Sequence, residues 1–224
     1  MQKETILYKK NFLIYGFGKS GYASYQFLCK KNNCKIFDDK KKNIPLKFNH
    51  DIIIYNQLKK INFDYIVLSP GIDIHKCRLS AYLKENITKI ITELDIFYLS
   101  YPNIKKITVT GTNGKSTTSK LLYDVLKEHG KDVRLTGNIG SPILLQTKLK
   151  NNTLFVIEAS SYQLEYSKFF KSEYSLILNL SPDHLERHGN FKNYIKAKFK
   201  LIQNQSKNNY AFIEKKNYLL NNLI

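Results

Sequence analysis

Two glycine-rich loops carry most of the chemistry that the residue types of this chain could perform. The first, Gly16-Phe17-Gly18-Lys19-Ser20-Gly21, follows the apolar run Phe12–Tyr15 and precedes an amphipathic stretch. A G-x-G-x-x-G turn between a strand and a helix lets bare backbone approach a phosphate, and the helix N-terminus adds partial positive charge. Asp38, at the end of the next apolar run, stands where an acid that binds a ribose hydroxyl belongs. Read alone, the loop fits a nicotinamide or flavin site; it specifies a phosphate-bearing nucleotide better than it specifies which one. Ser69-Pro70-Gly71 follows the run Tyr65–Leu68, where a turn would help close the same crevice.

The second loop, Gly111-Thr112-Asn113-Gly114-Lys115-Ser116-Thr117, follows Lys106–Thr110. Val109 occupies the position where a strict G-x-x-x-x-G-K-[ST] pattern has its first glycine, so this is a shortened relative of the Walker loop. Its amides would wrap phosphates, Lys115 would reach the β and γ oxygens, and Ser116 would bind Mg²⁺. Three groups downstream would complete a metal-phosphate site. Glu158 ends the run Leu154–Glu158, the place of the second metal anchor in such nucleotide-binding proteins. His184 follows Asn179-Leu180-Ser181-Pro182-Asp183, and Lys198 lies on a helical pattern that starts near Phe191. His50 and His129 lie in ordinary polar surroundings and receive no role.

Elements that hold these loops are legible as short apolar runs alternating with helix-length amphipathic stretches. The predicted strands are Phe12–Tyr15, Cys34–Phe37, Ile52–Tyr55, Tyr65–Leu68, Lys106–Thr110, Leu154–Glu158, Ser175–Asn179 and Tyr210–Ile213. Helical patterns cover Ser20–Lys30, Lys115–Glu128 and Phe191–Gln203. Runs that are apolar throughout predict strands covered on both faces, and the strand–helix alternation predicts α/β architecture with parallel sheets. The turn residues Ser100-Tyr101-Pro102-Asn103 predict a boundary, with a Rossmann-like domain over 1–100 and a phosphate-loop domain over 101–224.

Composition narrows the function classes further. The 224 residues carry 36 basic and 18 acidic side chains, a net charge of +18. Only Arg78, Arg134 and Arg187 are arginines, whereas nucleic-acid readers lean on the planar arginine fork. The scattered lysines read as a solvated surface, and no nucleic-acid partner is expected. No run approaches the roughly 20 apolar residues that span a bilayer, so no membrane insertion is expected. Cys29, Cys34 and Cys77 form no C-x-x-C pair and predict neither a disulfide framework nor a zinc site. A cytoplasmic protein is the expectation.

The segments V-T-G-T-N-G-K-S-T (109–117), G-N-I-G-S-P (137–142), I-E-A-S-S-Y-Q-L-E (157–165), L-N-L-S-P-D-H-L-E-R-H-G (178–189) and Y-I-K-A-K (194–198) resemble the Mur ligase family. The G-T-N-G-K-S-T loop also marks folylpolyglutamate synthases. S-S-Y-Q-L-E, D-H-L-E-R-H-G and S-P-G-I (69–72) resemble the branch that joins D-glutamate to UDP-N-acetylmuramoyl-L-alanine. The resemblance implies that the first loop holds the UDP part of that substrate, with Gly16, Gly18, Lys19 and Ser20 on the diphosphate and Asp38 near the uridine. Ser69 and Gly71 would help close the site, and Asn138, Gln163 and His184 would approach the muramoyl part. It implies ATP on Gly111–Thr117 and two Mg²⁺ ions, the first held by Ser116 and Glu158 and the second reached by His184. It implies an acyl phosphate intermediate and a carbamylated Lys198 as an extra carboxylate-like ligand, with Lys115, His184 and Lys198 as the catalytic set.

The family continues well beyond residue 224, through the rest of the ATP-binding domain and a C-terminal domain for the incoming amino acid. The expectation is therefore a piece of a longer gene, or a chain whose remaining half is supplied separately, and which binds substrate without forming the amide bond. Two alternatives stand beside this reading: an NAD(P)-dependent oxidoreductase built on the first loop, and a non-catalytic nucleotide-binding remnant.

Overall fold

The structure is a computed structural model and describes residues 6–40 and 44–214. Nine strands and eight α-helices are present among the described residues. In the first half, β1 (Asn11–Tyr15), α1 (Lys19–Leu28), β2 (Asn33–Phe37), α2 (Tyr55–Leu58), β3 (Tyr65–Leu68), α3 (Ser80–Glu85), β4 (Ile90–Ile91) and α4 (Glu93–Ser100) follow in order. The second half runs β5 (Lys105–Thr110), α5 (Lys115–Glu128), β6 (Val133–Gly137), β7 (Leu154–Glu158), α6 (Ser161–Leu164), β8 (Tyr174–Ile177), α7 (Leu185–His188), α8 (Phe191–Gln203) and β9 (Tyr210–Ile213).

Both sheets are parallel throughout, in the order β2-β1-β3-β4 and β6-β7-β5-β8-β9. The α/β architecture with parallel sheets is therefore as the apolar runs predict. Phe12, Leu13, Ile14 and Tyr15 are all buried, and so are Phe155, Val156 and Ile157. Such runs form strands because helices cover both faces, leaving no solvent side for polar residues to alternate onto. The first face of the core runs through both sheets: Phe12 and Ile14 share one apolar cluster with Phe155 and Ile157. Helix α4 links them, its Phe97 ring lying 4.6 Å from that of Phe155. Truncating so buried a ring costs about 3–5 kcal/mol.

Four expectations need correction. Ile52–Tyr55 is not a strand: Ile52 makes one isolated bridge to Ile36, and α2 begins at Tyr55. Only Ile53 of that run is buried while Ile54 and Tyr55 face solvent, so apolar composition there does not reflect a covered strand. The strand expected over Ser175–Asn179 ends at Ile177, because Leu178 and Asn179 turn towards the second glycine loop. Two strands, β4 and β6, escape the apolar-run criterion: one has two residues, and the other is the mixed sequence V-R-L-T-G. Finally, Cys29 and Cys34 form a disulfide. Helix α1 ends at Leu28 and the chain returns directly into β2, bringing the two Cα atoms to 5.7 Å.

Candidate active site

Topology decides which strand ends can hold a ligand. In an open parallel sheet the crevice opens at the carboxyl edge where the connections reverse direction. In the first sheet β1 has β2 on one side and β3 on the other, and the first glycine loop leaves its carboxyl end. In the second sheet β5 is central between β7 and β8, and the second glycine loop leaves its carboxyl end. Glu158 and Asn179 therefore flank that loop from opposite sides.

The first loop is built from close approaches. Gly16 has φ +87°, and a Cβ there would sit 2.8 Å from the Ser69 Cβ. A Cβ on Gly21 would lie 1.9 Å from the Gly16 carbonyl oxygen, so only glycine lets α1 pack this tightly on β1. Gly18 is different: it has open space around its missing side chain, as a backbone that admits a ligand would. Ser69 Oγ donates to the Gly16 carbonyl at 2.6 Å and ties the S-P-G turn to the loop. Asp38 accepts from the Phe17 amide at 2.6 Å through one oxygen and from the Lys40 amide at 2.7 Å through the other. It braces the loop. Lys19 is exposed, Ser20 is half-buried and Gly71 has open space, so all three border solvent rather than core.

The second loop is held at both ends. Gly114 is the N-cap of α5 at φ +79°, a left-handed position that favours glycine. The Thr112 amide donates to the Asn179 carbonyl at 2.9 Å, and the Asn113 amide donates to Asn179 Oδ1 at 2.8 Å. Asn179 Nδ2 donates back to the Asn113 carbonyl at 3.1 Å. Thr112 Oγ1 hydrogen-bonds the Tyr194 hydroxyl at 3.0 Å, joining the loop to α8. Lys115 Nζ folds over the loop and donates to the carbonyls of Gly111 and Thr112 at 3.0 and 2.7 Å. Ser116 and Thr117 are exposed on the first turn of α5.

Around this loop stand three of the expected groups. Glu158 pairs in register with Val109, beside the start of the loop, and is 1% exposed. Its Oε1 accepts from Asn138 Nδ2 at 3.0 Å, while its Oε2 is buried with no hydrogen-bond partner. An unpartnered buried carboxylate oxygen is costly unless a donor or cation joins it. Lys198 is also 1% exposed, and its Nζ donates to the Gly111 carbonyl at 2.8 Å and lies 4.6 Å from the Tyr194 ring centre. Burial, with the Lys115 charge adding to it, pushes the Lys198 amine down to about 7 against the pull of Asp183. His184 sits at the N-cap of α7 in a left-handed conformation, its ring 4.9 Å from that of Tyr162. It lies 3.5 Å from Asp183 and 3.7 Å from Glu186.

Two expected substrate residues have part of their polar groups occupied. Gln163 Oε1 accepts from the Ser160 amide and hydroxyl, closing the capping box of α6, and Asn138 gives its amide to Glu158. Among the described residues no three His, Cys, Asp or Glu side chains converge on a cation position. The sequence reading missed Asn179 and Tyr194 as loop braces. Both lie inside the quoted motifs, yet nothing in their spacing says that they fold back onto residues 112 and 113.

A family signature for the Mur ligase middle domain matches residues 109–224, more than half of the chain. The chain belongs to the Mur ligase family. This Mur ligase chain is 38% identical over 213 residues to the UDP-N-acetylmuramoylalanine–D-glutamate ligase of Rickettsia bellii, covering 93% of the chain and 47% of the relative. The enzyme of the same name from Caldicellulosiruptor saccharolyticus is 34% identical over 230 residues, covering 97% of the chain and 51% of the relative. The chain thus spans about half the length of these curated relatives. Among solved structures, a UDP-N-acetylmuramate:L-alanyl-gamma-D-glutamyl-meso-diaminopimelate ligase from Neisseria meningitides superposes with a TM-score of 0.59 at 15% identity, over 96% of this chain and 74% of that one. The UDP-N-acetylmuramate-alanine ligase of Thermotoga maritima gives 0.52 at 21% identity, over 96% and 51%. Both likenesses establish the Mur ligase fold for this chain.

Proposed function

We propose that this chain binds UDP-N-acetylmuramoyl-L-alanine at the first glycine loop and ATP at the second, as part of a cytoplasmic ligase that adds D-glutamate during peptidoglycan precursor synthesis. The observation that carries the reading is the Glu158 carboxylate, buried beside the loop that ends in Lys115 and Ser116 with one oxygen unpartnered. The name shared by the curated relatives supports the choice of D-glutamate. In this reading the chain divides near residue 100 into a UDP-binding unit and a nucleotide-binding unit.

The donor set fits Mg²⁺: a buried carboxylate oxygen without a partner, an exposed serine hydroxyl and, after carbamylation, Lys198. Bound Mg²⁺ would neutralise charge on the ATP phosphates. Lys115 exchanges its two carbonyl partners for γ-phosphate oxygens, a charge-assisted contact that strengthens as charge develops. The alanyl carboxylate attacks the γ-phosphorus, the bond to ADP breaks, and an acyl phosphate results. The D-glutamate amine then attacks the acyl carbon and inorganic phosphate leaves. Lys198, neutral in a large fraction at pH 7, adds its amine to CO₂ with loss of one proton, leaving a carbamate beside Gly111. Gln163 Nε2 and Asn138 Oδ1, not engaged in the bonds described above, face the muramoyl group together with His184.

Calorimetry with the 224-residue chain tests the reading. Saturable binding of UDP-N-acetylmuramoyl-L-alanine, stronger than that of NADH, is expected. Lys115→Ala should weaken MgATP binding roughly tenfold or more and leave the UDP ligand unaffected. Equal or tighter binding of NADH would sink the proposal.

A further inference from the structure

Asp95 has no exposed surface and accepts hydrogen bonds from both halves of the molecule. Its Oδ2 closes the capping box of α4, accepting from the Thr92 amide at 2.9 Å and the Thr92 hydroxyl at 3.0 Å. Its Oδ1 accepts from four donors of the segment between α6 and β8: Ser167 Oγ at 2.8 Å and the amides of Lys168, Phe169 and Phe170 at 3.0, 2.8 and 2.9 Å. Three successive N–H groups and a hydroxyl converging on one oxygen form an anion nest. Here the anion is the protein's own carboxylate, brought from 72–75 residues away. A capping box by itself needs only Oδ2. The second oxygen is committed wholly to the other sheet.

Neighbouring contacts run the same way. Lys168 Nζ donates to the Ile87 carbonyl at 2.6 Å, just before β4. Glu93, two residues before Asp95 and nearly buried, lies beside Ser20 of the first glycine loop and beside Ile143 and Leu144 of the second half. The N-terminus of α4 thus meets the connections on both flanks of the second sheet. Charged hydrogen bonds in a buried setting contribute more than neutral ones and leave a larger penalty when one partner is removed.

We propose that Asp95 is a positioning residue that makes the two sheets one cooperative body, fixing the edges that carry the two glycine loops in a single relation without any ligand. The experiment is hydrogen exchange and urea unfolding of the full 224-residue chain as wild type, Asp95→Ala and Asp95→Asn. Leu83→Ala, a buried apolar change within the first half's own cluster, is the control. In wild type one cooperative transition is expected, with slow exchange at Lys168, Phe169 and Phe170. In Asp95→Ala those amides should exchange roughly 10- to 100-fold faster, and unfolding should split into two transitions. Should Asp95→Ala not accumulate as folded protein, Asp95→Asn decides; its single carbonyl oxygen cannot serve both the cap and the nest, so the same split is expected in weaker form. Leu83→Ala should lower stability yet keep one transition. A single transition in the folded Asp95 variants with unchanged exchange at 168–170, or an equal split in Leu83→Ala, would overturn the proposal.

Discussion

Replacing Lys198 with methionine should stabilise the protein at and below neutral pH, and the advantage should shrink as pH rises. Lys198 is 1% exposed, and its amine falls from the ordinary 10.5 to about 7 through burial and the Lys115 charge. Each unit is worth about 1.36 kcal/mol, so holding this charge inside the folded state costs roughly 4–5 kcal/mol at low pH. The hydrogen bond to Gly111 and the contact with the Tyr194 ring return about 1–3 kcal/mol, both lost in the methionine variant. A net gain of about 1–4 kcal/mol at pH 6 follows for Lys198→Met. The sign comes from proton counting. Between the folded value near 7 and the unfolded value near 10.5 the unfolded chain holds more protons, so wild-type stability rises with pH across that window. From pH 7 to pH 9 wild type should gain about 2 kcal/mol relative to Lys198→Met. Urea unfolding followed by circular dichroism at pH 6, 7, 8 and 9, in bicarbonate-free buffer that prevents carbamylation, measures the difference. Parallel stability curves for the two proteins would refute the reasoning, because Lys198 would then titrate as an ordinary lysine.

Four further outcomes are expected. Gly16→Ala should cost about 1–3 kcal/mol in thermal unfolding, from its positive φ and the 2.8 Å approach to Ser69. Gly18→Ala should leave stability unchanged and weaken UDP-ligand binding, so equal destabilisation by the two changes would contradict the assigned geometry. Glu158→Gln should lose the thermal shift given by MgATP, because an amide offers a cation no anionic oxygen; an unchanged shift would remove Glu158 from the proposed metal site. The 224 residues assayed by themselves with ATP, Mg²⁺, UDP-N-acetylmuramoyl-L-alanine and D-glutamate should release no phosphate above background. They span about half of their relatives' length, and positioning a second reactant accounts for roughly 7–11 kcal/mol of such a barrier. Robust release abolished by Lys115→Ala would show that this half suffices.

Local physics is what the linear sequence records well. The two glycine loops, the apolar runs of strands β1, β3 and β7, and helices α5 and α8 follow from backbone freedom, burial on both faces and helical periodicity. Each depends on neighbours within a few residues. The family is legible too, since its motifs lie along the chain in order. Tertiary structure alone decided which partners those motifs meet. Asp38 has the position of a ribose ligand in the sequence, but the fold turns one of its oxygens onto the Phe17 amide of the glycine loop and the other onto the Lys40 amide two residues on. Glu158 is one more strand-ending glutamate until β6 and β7 bury it and leave Oε2 without a partner. Lys198 is one of 33 lysines, and only packing against Tyr194 and Gly111 shifts its charge state. Cys29 and Cys34 pair because a tight return from α1 into β2 brings them together, a geometry that their spacing of five does not state. The T-x-x-D signal of the capping box before α4 stands in the sequence, whereas the nest that occupies the other Asp95 oxygen comes from residues 167–170. Desolvation and hydrogen bonding across 70 or more residues depend on how the sheets pack, and packing is a property of the assembled chain rather than of any segment.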